Sequence, residues 1–384
     1  MSQIEPFSLP FSASAWQDLR SRLRHTRWPD EIPDSDWAYG FKRDFLIDLC
    51  RYWAESFDWE KQIHRLSAFP HYRFTSGAGK IHFLHVKGKG PSPMPLILTH
   101  GWPGSFLEMI KVIPLLTDPA AHGFLAEDSF DVVVPSLPGF GFSDRPAAPG
   151  MHVARVAEIW VALMRALGYE RFAAQGGDLG AGVCTALGLN HSEHLTGIHL
   201  NYIPASYRPY IANEAEITAS EREFLTHAAQ WFSDNGAYAH LQATRPQTAA
   251  YALNDSPAGL AAWILEKFRD WSDCGGDLIR SFSLDELLTN VTLYYLTETI
   301  SSSFRMYYEG RLKPLHFTAS DFIRTPCAIA CFPREIYMPP REWVARGYNV
   351  QRWTQMPAGG HFAAFEKPAL LASDLRDSMR TLRG

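Results

Sequence analysis

RFAAQGGDLGAGVCTALGL, residues 171–189, holds the five residues on which the fold turns. An apolar run ends in Gly176-Gly177-Asp178-Leu179-Gly180 and continues into a small-residue helical pattern, the Gly-x-nucleophile-x-Gly spacing of a sharp strand-to-helix turn. The centre is aspartate, where serine is the commoner residue. An N-cap is the simplest alternative role, since aspartate before a helix bonds the first free N–H groups and suits the positive end of the dipole. Spacing alone does not decide between cap and nucleophile; a partner base elsewhere in the chain would.

Working outward, short apolar runs at PLILTH, DVVVPSL, RFAAQGG and LTGIHLNYI alternate with the helical patterns FLEMIKVIPLL and VARVAEIWVALMRALG. That rhythm predicts a doubly wound, mostly parallel α/β sheet. HYRFT and KIHFLHV flank Ser76–Gly79 and read as a hairpin. Before them, Ser14 and Gln17 fit a capping box for a helix carrying Trp16, Leu19 and Leu23, and a second helix runs from Lys42 to about Phe57. After Tyr202-Ile203-Pro204 the chain turns helical and aromatic to about residue 315, and TPCAIACFP and NVQRWTQMP then resume the strands. A helical insertion at that point reads as a lid over the carboxyl ends of the strands, where open sheets bind ligands. The expected division is a helical N-terminal segment over 1–70, a first core part over 71–204, the lid over 205–315 and a second core part over 316–384.

The chain has 384 residues, 46% of them hydrophobic, with a net charge of −5, so a large core is affordable and no basic field exists to hold nucleic acid. No signal-like start and no uncharged apolar run of about 18 residues is found, so neither leader nor membrane anchor is expected. The five cysteines (Cys50, Cys184, Cys274, Cys327 and Cys331) lack metal spacing. Cys327 and Cys331, four apart on one strand, would lie roughly 13 Å apart at about 3.3 Å per residue, too far for a bridge. Reduced thiols and a cytoplasmic setting are expected.

GGHFAAFEKP supplies a base after the last strand, His361, behind two glycines that crowd its backbone. CFPRE puts Glu335 in the loop after the preceding strand, with Asp321 and Glu342 as competitors for the acid that orients the histidine. The order nucleophile, acid, histidine is that of an α/β-hydrolase. HGWPG, residues 100–104, follows the strand PLILT, so the N–H groups of Trp102 and Leu179 are the candidate oxyanion donors. Serine attacking a saturated carbon would leave an ether that activated water does not cleave, whereas aspartate leaves an ester that it does. The aspartate therefore points to epoxides or haloalkanes. An epoxide oxygen needs O–H donors, and the lid offers Tyr238, Tyr307 and Tyr308, which spacing does not rank among fifteen tyrosines.

LRHTRWPDEIPDSDWAYG, RYWAESFDWEKQ, HGWPGSF, GGDLG, ALNDSPAGLAAWILEKF, FSLDELLTNVTLYY and GGHFAAFEKP together resemble the microsomal-type epoxide hydrolase family, in a form without the membrane anchor of some members. The resemblance spans nearly the whole chain. It implies an N-terminal meander wrapped around the hydrolase domain, Asp178 as nucleophile, His361 as base and Glu335 as its acid. It also implies Tyr238, in YAHLQ, and Tyr307, in the R-x-Y-x-E of RMYYE, as ring-opening donors, with Tyr308 a neighbour. Many relatives carry tryptophan directly after the nucleophile, where this chain has Leu179; that change spares the N–H and alters the acyl-side wall. The same leucine removes the indole with which a haloalkane dehalogenase would hold halide, and the intact triad argues against a non-catalytic ligand-binding relative. The expected substrate is a small apolar or aryl epoxide, given the lid aromatics Trp231, Phe232, Trp263, Phe268 and Trp271, with lid packing an equal reading of those rings. No metal or organic cofactor is required, and a homo-oligomer remains compatible with the chain.

Overall fold

The computed structural model describes residues 3–383. Among these residues nine strands form one sheet in the order β1-β2-β3-β5-β4-β6-β7-β8-β9: Ile4–Pro6, His71–Ser76, Gly79–Val86, Met94–Thr99, Phe130–Pro135, Phe172–Gly176, Leu195–Leu200, Ile323–Cys331 and Tyr348–Gln355 for β1 to β9. The first three pair antiparallel, β3 joins β5 antiparallel, and β4 to β9 run parallel. The all-buried β5 and β6 explain why FDVVVP and FAAQG read as continuous runs without alternation: helices cover both faces of a parallel sheet. This is the α/β-hydrolase fold.

Three local expectations change. The sequence gives no sign of a strand before residue 71, yet Ile4–Pro6 pairs with β2 as a three-residue edge. The first helix spans Ala13–Arg24, and its cap is Ser12, which accepts from the Ala15 N–H; Ser14 instead shares a hydroxyl bond with Ser12. FLEMIKVIPLL is not one helix: a 3₁₀ turn at Phe106–Met109 precedes a helix at Val112–Thr117. Proline has no N–H to give, so Pro114 is tolerated only in a first turn, and the helix begins where that holds.

The N-terminal helices are pinned to the lid. Trp53, fully buried on the helix Arg43–Glu55, donates its indole N–H to Thr292 Oγ1 at 2.9 Å, and Tyr52 donates to Asp285 at 2.8 Å. The inserted helices lie between Ala219 and Leu312. Both ends of the insertion meet: Arg208 N–H donates to Leu315 O, and Phe317 N–H to Arg208 O. The lid thus leaves the sheet and returns at one place, above the carboxyl ends of β4, β6, β7, β8 and β9. Among the described residues, no helix is long and apolar enough to cross a membrane.

Candidate active site

Five loops at those carboxyl ends converge. After β6, Gly177 leads into the helix Asp178–Asn190, and Asp178 itself adopts φ +48°, the left-handed region that a side chain rarely takes. Glycine packing explains why the turn can be so tight. A Cβ on Gly180 would overlap the Thr99 carbonyl, 2.7 Å from its carbon, and one on Gly101 would fall 2.7 Å from Asp178 Cγ. The carboxylate is thereby held against the β4 loop, where the Trp102 N–H donates to Asp178 Oδ1 at 2.8 Å. Leu179 N–H lies in the first helical turn, where no intrahelical carbonyl is available to it; its side chain packs, half-buried, on the core.

The β8 and β9 loops are laced together by Arg334 N–H donating to Gly359 O at 3.0 Å. Lacing sets Glu335 and His361 in register: Glu335 Oε1 is 2.6 Å from His361 Nδ1 and also accepts the Ile336 N–H at 2.8 Å. A carboxylate only accepts, so Nδ1 carries hydrogen and Nε2 faces Asp178 Oδ2 at 3.4 Å. The His361 N–H is anchored on Trp271 O at 2.8 Å, and its ring stands edge-on to Tyr202 and Trp271. Burial alone would push the imidazole down. Glu335's charge, with hydrogen bonds to Asp178 and Glu335, outweighs it and raises His361 well above the ordinary histidine range. Neither competitor reaches the ring: Asp321 bonds its own Thr318, and Glu342 bonds Ser220.

From the lid come two phenols. Tyr238, on the helix Ala237–Thr244, stacks on Trp102 with centroids 5.3 Å apart, and Tyr307, on Ile300–Leu312, stands edge-on to the same indole at 5.8 Å. Their rings are 6.1 Å apart. Burial, with the Asp178 charge contributing to both, raises each phenol well above the ordinary tyrosine range, so each stays an O–H donor. Tyr308 lies instead against the Arg311 guanidinium. The lid aromatics divide: Trp271 joins the site beside Tyr238 and Trp102, Phe268 stacks on Phe362 at 4.1 Å as packing, Trp263 packs on Phe304, and Trp231 and Phe232 lie against Tyr337.

Glu108 and Asn201 also border the space between Asp178 and His361 and were not singled out in the sequence. An acidic residue inside the apolar FLEMI is the signal that could have marked the first. Among the described residues no group of three His, Cys, Asp or Glu could hold a metal ion.

Comparison with known proteins identifies the family. A family model described as the epoxide hydrolase N terminus matches residues 4–109, and one described as the alpha/beta hydrolase fold matches residues 94–262. Epoxide hydrolase 1 of Oryctolagus cuniculus is 39% identical over 97% of this chain and 88% of its own. The crystal structure of juvenile hormone epoxide hydrolase from the silkworm Bombyx mori is 30% identical, with a TM-score of 0.85 over 100% of this chain and 95% of that one. Aspergillus niger epoxide hydrolase, at 29% identity, gives the same TM-score over 98% of this chain and 96% of that one. With family models matched over residues 4–109 and 94–262, and a relative 39% identical aligned along nearly its full length, the chain belongs to the microsomal-type epoxide hydrolase family of the α/β-hydrolase superfamily.

Proposed function

We propose that this epoxide hydrolase works by covalent catalysis, with Asp178 as nucleophile. The observation that carries the reading is a carboxylate with one oxygen in a backbone N–H, its other oxygen facing an imidazole, and two phenols of the inserted helices that feel its charge. Asp178 Oδ2 attacks an epoxide carbon, the C–O bond breaks, and the departing oxygen takes a proton from Tyr238 or Tyr307. A hydroxyalkyl ester results. Oδ1, already at Trp102 N–H, becomes its carbonyl oxygen.

Esterification removes the Asp178 charge, one of the influences that hold the His361 proton, and that proton passes through solvent to the phenolate that ring opening left, so that the ring is free to act as a base. Glu335 remains to orient the ring. His361 Nε2 then takes a proton from water as the water oxygen bonds to the Asp178 carboxyl carbon, and the Trp102 and Leu179 N–H groups steady the oxyanion. Collapse of the tetrahedral intermediate releases a vicinal diol and returns the carboxylate. Trp102, Trp271 and the two tyrosines support a small apolar or aryl epoxide as substrate. Five buried cysteines without bridges support a cytoplasmic setting.

The test is intact-mass spectrometry of His361→Gln after addition of styrene oxide. One added substrate mass on the peptide holding Asp178 is expected; an unmodified protein across aryl and aliphatic epoxides would overturn covalent catalysis.

A further inference from the structure

A carboxyl group that the reaction above does not use lies beside it. Glu108 sits in the 3₁₀ turn Phe106–Met109, only 9% exposed, and among the described residues no lysine or arginine pairs with it. The space it fills is the one a side chain at Gly104 would need, since a Cβ there would overlap its carboxyl. Gly101, two residues past the end of β4, gives it a backbone hydrogen bond. Leaving a carboxyl in such a place is costly unless it has partners. Burial pushes its pKa up to about 8, the Asp178 charge adding to the rise while His361 and Gly101 oppose it.

Behind Asp178 there is a small chamber whose wall includes Glu108, Asn201, Thr99, Gly177, Asp178 and His361. The room open to the centre of a water molecule is about 10 Å³, close to the roughly 10–15 Å³ that one water requires. Its wall brings together groups that can bond a water. His361 Nε2 accepts one hydrogen. Asn201 Oδ1 is already taken by Gln175 Nε2 at 2.8 Å, which leaves the Asn201 amide as a donor toward a water lone pair. Asp178's carboxyl carbon is the electrophile for the remaining lone pair, and an acceptor for the second hydrogen is needed.

We infer that Glu108 is that acceptor, and that with Asn201 it holds the hydrolytic water between His361 Nε2 and the Asp178 ester. The inference rests on the covalent reading of Asp178. Its chemistry is balanced within that reading: the water gives one hydrogen to His361 and its oxygen to the ester carbon, while the hydrogen bond to Glu108 fixes the direction of attack without moving a proton. Only the second half-reaction uses this water, so ring opening should be indifferent to Glu108.

Two variants test it, Glu108→Leu, which fills the space without an acceptor, and Glu108→Gln, which keeps a carbonyl oxygen. Rapid-quench mass spectrometry with styrene oxide follows formation and loss of the alkyl-enzyme separately. Misplaced attack of this kind costs about 10²-fold, so in Glu108→Leu the adduct should form at the wild-type rate, decay about that much more slowly and accumulate during turnover. Glu108→Gln should recover most of the decay rate. Wild-type decay in Glu108→Leu overturns the inference, as does an equal loss in both steps and both variants. His361→Gln run in parallel separates the two levels: absence of any adduct there removes the ester itself, and this inference with it.

Discussion

Glu335 Oε1 lies 2.6 Å from His361 Nδ1, and the same oxygen takes the Ile336 N–H. The acid therefore does two things to the ring: it fixes which nitrogen carries hydrogen, and it holds the proton on. Glu335→Gln keeps the size but removes the charge and allows the amide to donate to Nδ1. Loss of the correct tautomer costs up to about 10⁴-fold in a comparable triad, so ester hydrolysis should fall by roughly 10²- to 10⁴-fold, with ring opening less affected. Removing an influence that raises His361 also moves the acid limb of the hydrolysis rate to lower pH. Single-turnover decay of the alkyl-enzyme across pH checks both; an acid limb that stays in place would show that Glu335 does not govern the ring.

In the proposed mechanism Tyr238 and Tyr307 divide one task, protonation of the departing oxygen. A positioned donor is worth about 10²- to 10⁴-fold. If either phenol suffices in part, Tyr238→Phe and Tyr307→Phe should each slow adduct formation by one to two orders of magnitude, roughly, and the double variant should lose far more. Adduct decay should hardly change. Burst kinetics measure this directly, and two single variants with wild-type bursts would exclude the phenols as donors.

Gly180 is tested by stability. Its missing side chain lets the helix approach the Thr99 carbonyl, which is backbone and cannot rotate away. Gly180→Ala must shift β4 against the helix Asp178–Asn190, at a cost typical of overpacking, about 1–3 kcal/mol. A lower urea midpoint with an unchanged slope is expected, together with lost activity, because the same shift moves Asp178 relative to Trp102 N–H.

What the sequence makes legible follows from where backbone crowding leaves its mark. GGDLG, HGWPG and GGH are conspicuous because a tight approach excludes Cβ atoms, so the strand-end loops could be found one at a time and ordered. Tyr238 and Tyr307 leave no such mark: fifteen tyrosines look alike until the lid folds, and only resemblance to a family distinguishes two of them. Glu108 was hidden for another reason. Its neighbours in sequence are apolar, and its polar surroundings are assembled from β4, β6, β7 and β9 loops scattered over some 250 residues. The edge strand β1 is too short to carry a pattern, and Ser12 takes the cap from Ser14 because the chain before the helix stays extended through residue 12.

The core under β3 offers a last prediction, concerning pH. His82, fully buried, shares a hydrogen bond with His71 at 2.8 Å and another with Ser136 at 2.9 Å. Burial, and then the charges of His71, Arg73 and His100, push it well below the ordinary histidine range. Its folded pKa is thus depressed below an unfolded value of about 6.5, so the unfolded chain takes up the proton first. Stability from the neutral ring is complete above that value and is lost as pH falls through it toward the folded pKa. His82→Gln does not titrate. The wild type should exceed it in stability at pH 7.5, and this advantage should shrink on acidification by at most about 1.4 kcal/mol per pH unit below about 6.5. Urea midpoints of the two proteins at pH 7.5, 6.5 and 5.5 give the comparison; a constant difference would mean that His82 takes up protons equally in the folded and unfolded chain.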